Sequence, residues 1–264
     1  MASRSIARAE RLNFRAATRI AAMAAALVPC LPLHAMWRVA GRRSPWPSIY
    51  LGLAGRAAGL RVRVTGQPLR QSVLLTPNHI SWLDILALGG AGRSAFVSKA
   101  EVRGWGVIGW LAGLNNTVYV EREDRRAVQG QASALSSALR HGKPVALFPE
   151  GTTGNGFSML PFRASLFAAV SPPPEGVRVQ PVALDYGAIA PEIAWTDSES
   201  AGSNAVRILN RKGSIALTIH FLDPLEHENL GDRKRIAAES HARVRAKLNA
   251  SFTPNAASHI ALGK

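Results

Sequence analysis

Hydrophobic and polar positions follow two different regimes along the chain. Ile20–Trp37 is an apolar run of about 18 residues, interrupted by Pro29, Pro32 and His34 and closed by Arg38, Arg42 and Arg43. A helix crossing a bilayer needs about 20 apolar residues, so this run stands at the lower limit. Its prolines remove helical N–H donors from the second half. The pattern predicts a membrane-embedded anchor, either a short span or a re-entrant pair of helices. Trp46–Leu60 supplies a second apolar stretch, aromatic at its start, in which Gly55-x-x-x-Gly59 permits close helix packing. Two core helices of a soluble domain would show the same pattern, as would a signal sequence, although no small-x-small cleavage site follows cleanly.

From Leu60 onward, short continuous apolar runs alternate with helical patterns. Strands are predicted at Val73–Thr76, Ala95–Ser98, Thr117–Val120, Val145–Phe148, Val177–Leu184 and Ile215–Phe221. Helices are predicted at Trp82–Leu88, Trp105–Leu114, Arg125–Arg140, Ser165–Val170 and Arg233–Leu248. Residues 198–202 read as a surface loop, and the tail after Pro254 as loose. Buried strands alternating with helices imply an α/β sandwich around a largely parallel mixed sheet, with helices on its faces. Three regions result: a basic segment with membrane-anchoring helices over 1–60, an α/β domain over 61–252, and a tail over 253–264.

Composition removes several classes. At 47% hydrophobic and 19% charged, the 264 residues have enough to bury, so extensive disorder is excluded. The single cysteine, Cys30, excludes an internal disulfide framework and a cysteine-cluster zinc site. Charge changes the picture further. Residues 1–70 hold twelve Arg, no Lys and one acid, Glu10, so they carry +11 of the net +15. Arg4, Arg8, Arg11, Arg15 and Arg19 fall on one helical stripe at spacings of 4, 3, 4 and 4. The partner surface is therefore anionic: a membrane, a phosphorylated substrate or nucleic acid. A nucleic-acid enzyme would set its basic residues around an active groove rather than at one end. An RNA-binding arm remains the rival use of the stripe.

Two loops after predicted strands carry candidate chemistry. In Asn78-His79-Ile80-Ser81-Trp82-Leu83-Asp84, His79 on the strand–helix turn can meet Asp84 in the first helical turn. Asp84 would then fix the imidazole tautomer and leave the other nitrogen free as a general base. The same residues fit a helix capping box, Ser81-x-x-Asp84, with no catalytic role. Phe148-Pro149-Glu150-Gly151-Thr152-Thr153-Gly154-Asn155-Gly156 reads as a loop whose amides and hydroxyls suit an anion, or as an ordinary glycine-rich turn. Lys99, Arg103, Arg122 and Arg163 are either phosphate ligands or solvated surface charges. Gly104-x-Gly106-x-x-Gly109 matches the dinucleotide fingerprint in letters, but no clean strand precedes it and Trp105 fills the turn. There is no Gly-x-Ser-x-Gly elbow and no P-loop. The seven His show no metal-ligand spacing, so no metal is expected.

Taken in order, four blocks resemble those of the 1-acylglycerol-3-phosphate O-acyltransferase (lysophosphatidate acyltransferase) family. They are Asn78-His79-x4-Asp84, Tyr119-Val120-x-Arg122, Phe148-Pro149-Glu150-Gly151-Thr152 and Val179-Gln180-Pro181-Val182, and the likeness covers roughly residues 60–225. The resemblance implies a fatty acyl transfer from acyl-CoA or acyl-carrier protein to a lysophospholipid hydroxyl, first of all 1-acylglycerol-3-phosphate to give phosphatidic acid, with no further cofactor and no metal. It makes His79 the base and Asp84 its orienting partner. Arg122, Lys99 and Arg163 become phosphate ligands, Glu150, Gly151 and Thr152 acceptor-site residues, and Pro181 a pocket-shaping residue. Tyr119 stands where the family usually has Phe. The fold implied is that of the glycerol-3-phosphate acyltransferases, and the enzyme would lie on the cytoplasmic side of the inner membrane. Lyso-ornithine lipid or another lysolipid is the alternative acceptor, and a non-enzymatic membrane- or RNA-binding protein the alternative class. No nucleic-acid partner is expected, and the oligomeric state is left open.

Overall fold

The computed structural model describes residues 11–120, 135–139, 143–170, 173–196, 198–226 and 230–252. Arg4, Arg8, Arg122, most of the 125–140 segment and the 253–264 tail lie outside them. Seven strands form one sheet: β1 Leu60–Gly66, β2 Val73–Pro77, β3 Ala95–Lys99, β4 Val118–Val120, β5 Val145–Ala146, β6 Arg178–Asp185 and β7 Ile215–Phe221. Their spatial order is β1-β7-β6-β2-β5-β3-β4. Every neighbouring pair is parallel except β6 and β7. The expected largely parallel mixed sheet is present.

The α-helices of five or more residues are α1 Phe14–Val39, α2 Trp46–Ala57, α3 Leu83–Ala87, α4 Gly106–Leu114, α5 Ala201–Asn210 and α6 Arg233–Phe252, with residues 135–139 also helical. One sheet face packs Val73 and Leu75 of β2 against Leu83, Leu88 and Ile208. The other packs Leu74, the next residue of β2, against Leu135, Phe167 and Ile236. Successive side chains of a strand point to opposite faces, so the apolar run Val73–Leu75 serves both cores at once.

The N-terminal region departs from expectation in three ways. First, α1 runs unbroken through Pro29 and Pro32; the helix forgoes two i→i−4 bonds there instead of ending. By length and composition it is the one helix among the described residues that suffices to cross a membrane. Second, Arg15 and Arg19 do not form a free cationic stripe. Arg15 reaches the carbonyl of Asn210, and Arg19 those of Ile208, Leu209 and Gly213. The first three carbonyls belong to the last turn of α5, where cations are favoured, and Gly213 lies just beyond it. Third, Gly55-x-x-x-Gly59 is not a helix–helix seam, since Gly59 lies beyond α2 with φ +102. The close approach occurs instead between Gly52 of α2 and Gly90, with Gly89 against Leu51, in a π-helical segment Leu88–Gly92.

Two elements escaped the pattern. β1 is an edge strand of sequence LRVRVTG, mostly exposed beyond Leu60. α5 begins where a loop was expected: Ser200 Oγ accepts the Ser203 N–H at 3.1 Å as its N-cap. The strand expected at Val145–Phe148 is only two residues long, although the Leu147 N–H still donates to the Leu75 carbonyl of β2 at 3.0 Å before the functional loop begins.

Candidate active site

Strands β2, β5, β3 and β4 run parallel and adjacent, so their C-terminal ends line one edge of the sheet. Open α/β sheets bind ligands along that edge. β2 delivers Asn78 and His79, β5 delivers Phe148–Thr152 after two residues, and β3 ends on Lys99.

Asn78 is buried and fastens the exit of β2. Its Oδ1 accepts the Leu184 N–H at 2.7 Å, and its Nδ2 donates to the Leu184 carbonyl at 3.1 Å. His79 follows with its side chain 17% exposed, whereas Asp84 is fully buried. His79 Nδ1 lies 2.9 Å from Asp84 Oδ2. The carboxylate accepts, so Nδ1 carries the proton and Nε2 is the unprotonated nitrogen of the neutral ring. Asp84 Oδ2 also accepts the N–H groups of Ile80 at 2.7 Å and Ser81 at 3.0 Å. Dyad and helix cap are thus the same interaction set. The backbone bonds hold the carboxylate, and the carboxylate holds the imidazole.

Three further contacts immobilise His79. Its ring stacks on Phe148 at 3.9 Å between centroids. Its N–H donates to Glu150 Oε1 at 2.8 Å, and its carbonyl accepts from Gly154 N at 2.8 Å. Glu150 is itself buried, and its Oε2 accepts the Leu160 N–H at 3.1 Å. Burial pushes its carboxyl up to about 8, against the pull of the two backbone N–H donors, with the Asp84 charge adding to the rise. Both Glu150 oxygens therefore bind the protein's own backbone, joining the loops after β2 and β5. Gly151 adopts φ +80, a conformation that favours glycine, and it and Thr152 are half-buried beside this junction.

The cations differ in placement. Lys99 and Arg163 have exposed side chains, and the Arg163 backbone N–H is tied to the Pro149 carbonyl at 2.8 Å. Arg163 therefore belongs to the Glu150 loop, and Lys99 to the same edge through β3. Arg103 lies 4.6 Å over the Tyr119 ring, and the Tyr119 hydroxyl donates to the Gly109 carbonyl at 3.1 Å. The hydroxyl that distinguishes Tyr119 from Phe thus anchors α4. A Cβ at Gly109 would lie 2.3 Å from the Arg103 carbonyl oxygen, so close packing accounts for that glycine of the dinucleotide-like pattern. Pro181 is buried inside β6 opposite Thr76, away from the strand end. Tyr186 was not singled out from the sequence, yet its hydroxyl contacts Asp84. Its place just past the end of a predicted strand gave no sign of that partner, 102 residues away in sequence.

Residues 61–185 match the sequence profile of the family described as Acyltransferase. The chain is 33% identical over 247 residues to the lyso-ornithine lipid O-acyltransferase of Rhodobacter capsulatus, covering 88% of this chain and 89% of that protein. It is 37% identical over 134 residues to the 1-acyl-sn-glycerol-3-phosphate acyltransferase of Neisseria gonorrhoeae, covering 51% of this chain and 52% of the other. In fold it is similar to the crystal structure of the 1-acyl-sn-glycerophosphate acyltransferase of Thermotoga maritima. The TM-score is 0.57 at 17% identity, over 77% of this chain and 78% of that one.

Proposed function

Because this chain belongs to the acyltransferase family, we propose that it moves a fatty acyl group from a thioester donor, acyl-CoA or acyl-carrier protein, to a lysolipid hydroxyl. The observation that carries this reading is the 2.9 Å contact between His79 Nδ1 and buried Asp84, which leaves Nε2 as a free base at the strand-end edge. Nε2 removes the acceptor's hydroxyl proton as that oxygen attacks the thioester carbonyl. Collapse of the tetrahedral adduct breaks the carbon–sulfur bond, and the imidazolium returns its proton to the departing thiolate. No acyl-enzyme forms. General-base assistance of this kind contributes about 10²–10⁴ in rate, and holding donor and acceptor together supplies more.

Lyso-ornithine lipid is the first acceptor to test, because two relatives carrying that name align over 89% and 93% of their length. The second reading, 1-acylglycerol-3-phosphate converted to phosphatidic acid, draws on the exposed cations Lys99 and Arg163, which suit an acceptor phosphate. Both acceptors sit in a membrane. α1 exposes Phe14, Val28 and Met36 and is long enough to embed. The enzyme then works from the cytoplasmic face of the inner membrane, where soluble thioester donors reach the edge.

The test is mass spectrometry of products formed by the purified full-length protein from one acyl-CoA and each lysolipid in turn. Acylated product with the wild type and none with His79→Ala is expected. Product of equal yield from both proteins would overturn the assignment.

A further inference from the structure

A cavity of about 400 Å³ lies at the end of the sheet opposite His79. It is walled by Ala95 and Val145, the first residues of β3 and β5, and by the end of α1 and the loop before α2. His34, Arg38, Arg43 and Lys143 line it, and no acidic residue is among its described lining residues. Its cations come from separate elements. His34 and Arg38 lie one helical turn apart on α1, Arg43 follows the helix, and Lys143 precedes β5. The turn that presents Arg43 is fixed, since Ser44 Oγ sits 2.8 Å from His34 Nδ1 and accepts the Trp46 N–H at 3.3 Å. Lys143 is held below the usual lysine range, first by burial and then by the charge of Arg43. Among the described residues, neither Arg38, Arg43 nor Lys143 forms an ion pair with a carboxylate.

Like charges gathered around a cavity repel, and an anion relieves that repulsion. Arg offers planar donor forks and Lys a compact point charge, the combination that suits a phosphate. The cavity also adjoins a crevice between α1, α2 and α4. His34 and Leu114 line both, and Leu27, Leu31 and Leu111 line the crevice alone. We propose that this cavity is a phosphate-binding site separate from the catalytic edge. Its ligand is a phosphate ester, carried by a membrane phospholipid headgroup or by a soluble compound.

Native mass spectrometry of the detergent-purified full-length protein, with phosphatidylglycerol or phosphatidylcholine added, tests the lipid source. Titration with glycerol 3-phosphate, followed by thermal shift, tests the soluble one. The variants are Arg43→Ala with Lys143→Ala, the charge-keeping pair Arg43→Lys with Lys143→Arg, and a control pair on α6, Arg233→Ala with Lys234→Ala. Retention of phosphatidylglycerol over phosphatidylcholine, lost tenfold or more only in the cavity Ala pair, supports a lipid headgroup. A glycerol 3-phosphate shift lost in the same pair supports a soluble ester. If the cavity Ala pair retains every ligand as the control does, or if the wild type binds neither, the proposal is overturned. His79→Ala should keep this binding, so failure here and failure of the acyl-transfer reading are separable.

Discussion

Tyr186 donates its hydroxyl to Asp84 Oδ1 at 2.6 Å, linking the residue just beyond β6 to the first turn of α3. The opposite carboxylate oxygen holds His79. The three side chains thus form a line from the core to the exposed Nε2. Burial, then the adjacent Asp84 charge, pushes the Tyr186 phenol well above its usual range, so it remains a donor at any working pH. Tyr186→Phe leaves Asp84 Oδ1 buried without its partner. Losing one such bond costs about 1–3 kcal/mol. We expect kcat to fall by roughly tenfold, since that is about 1.4 kcal/mol of barrier, with the acceptor KM little changed. Steady-state kinetics on a folded variant reads this, and an unchanged kcat would show that Tyr186 only fills space.

His79 and Asp84 separate chemistry from folding. His79→Ala removes the base from a partly exposed position, so catalysis should drop by about 10²–10⁴ while the melting temperature holds. Asp84→Asn should lower both. An amide offers one acceptor oxygen where the carboxylate takes donors from His79, Ile80, Ser81 and Tyr186. Thiol release from acyl-CoA, recorded beside thermal unfolding, distinguishes the two. Equal melting losses in both variants would contradict this division.

Glu150 predicts a pH signature. Its carboxyl titrates near 8 when folded against 4.5 ordinarily, so the folded state holds a proton that the unfolded chain has released. Between these values stability falls as pH rises, by up to about 1.4 kcal/mol per pH unit. Below them both states are protonated and nothing is lost. The wild type should therefore melt higher at pH 5.5 than at pH 8. Glu150→Gln, which cannot ionise, should be less stable at pH 5.5 but flatter across the range. A Gln variant with the full wild-type slope would place the titration elsewhere.

The parallel core was legible because its strands are continuous apolar runs such as Val73-Leu74-Leu75 and Val182-Ala183-Leu184. The His79–Asp84 contact was legible as one of two readings, and the structure shows that the alternatives were never exclusive. β1 was hidden because an edge strand exposes most of its length, so its Val-Arg alternation carried no run of buried positions. α5 was hidden because only Asn204, Ile208 and Leu209 of its ten residues are fully buried. Tyr186 was illegible for a different reason: its hydroxyl meets a carboxylate 102 residues away in sequence, and no local spacing encodes that encounter. The role of Glu150 was also tertiary. A carboxylate in a glycine-rich loop reads as substrate-facing until both its oxygens are found on backbone N–H groups.

The approach of α2 to the segment after α3 gives the last prediction. A Cβ on Gly90 would lie 2.6 Å from Gly52 Cα and 2.9 Å from Gly52 N, and one on Gly89 would lie 2.3 Å from Leu51 Cδ1. The two sites differ in what must yield. At Gly89 the obstacle is the end of a side chain, which can rotate. At Gly90 it is backbone on an adjacent helix, which cannot move without shifting the α1–α2 pair. Overpacking of a closed contact costs about 1–3 kcal/mol. Gly90→Ala should therefore reach the upper part of that range and Gly89→Ala the lower, offset slightly by the helix preference for Ala. Since α2 packs on the element that continues directly from α3, the Gly90 variant should also displace the start of the Asp84 turn and reduce turnover, whereas Gly89→Ala should leave turnover near wild type. Chemical denaturation and acyl-transfer rates on the two variants check the order, and a Gly90 variant as stable as Gly89→Ala would mean that the helices have room to part.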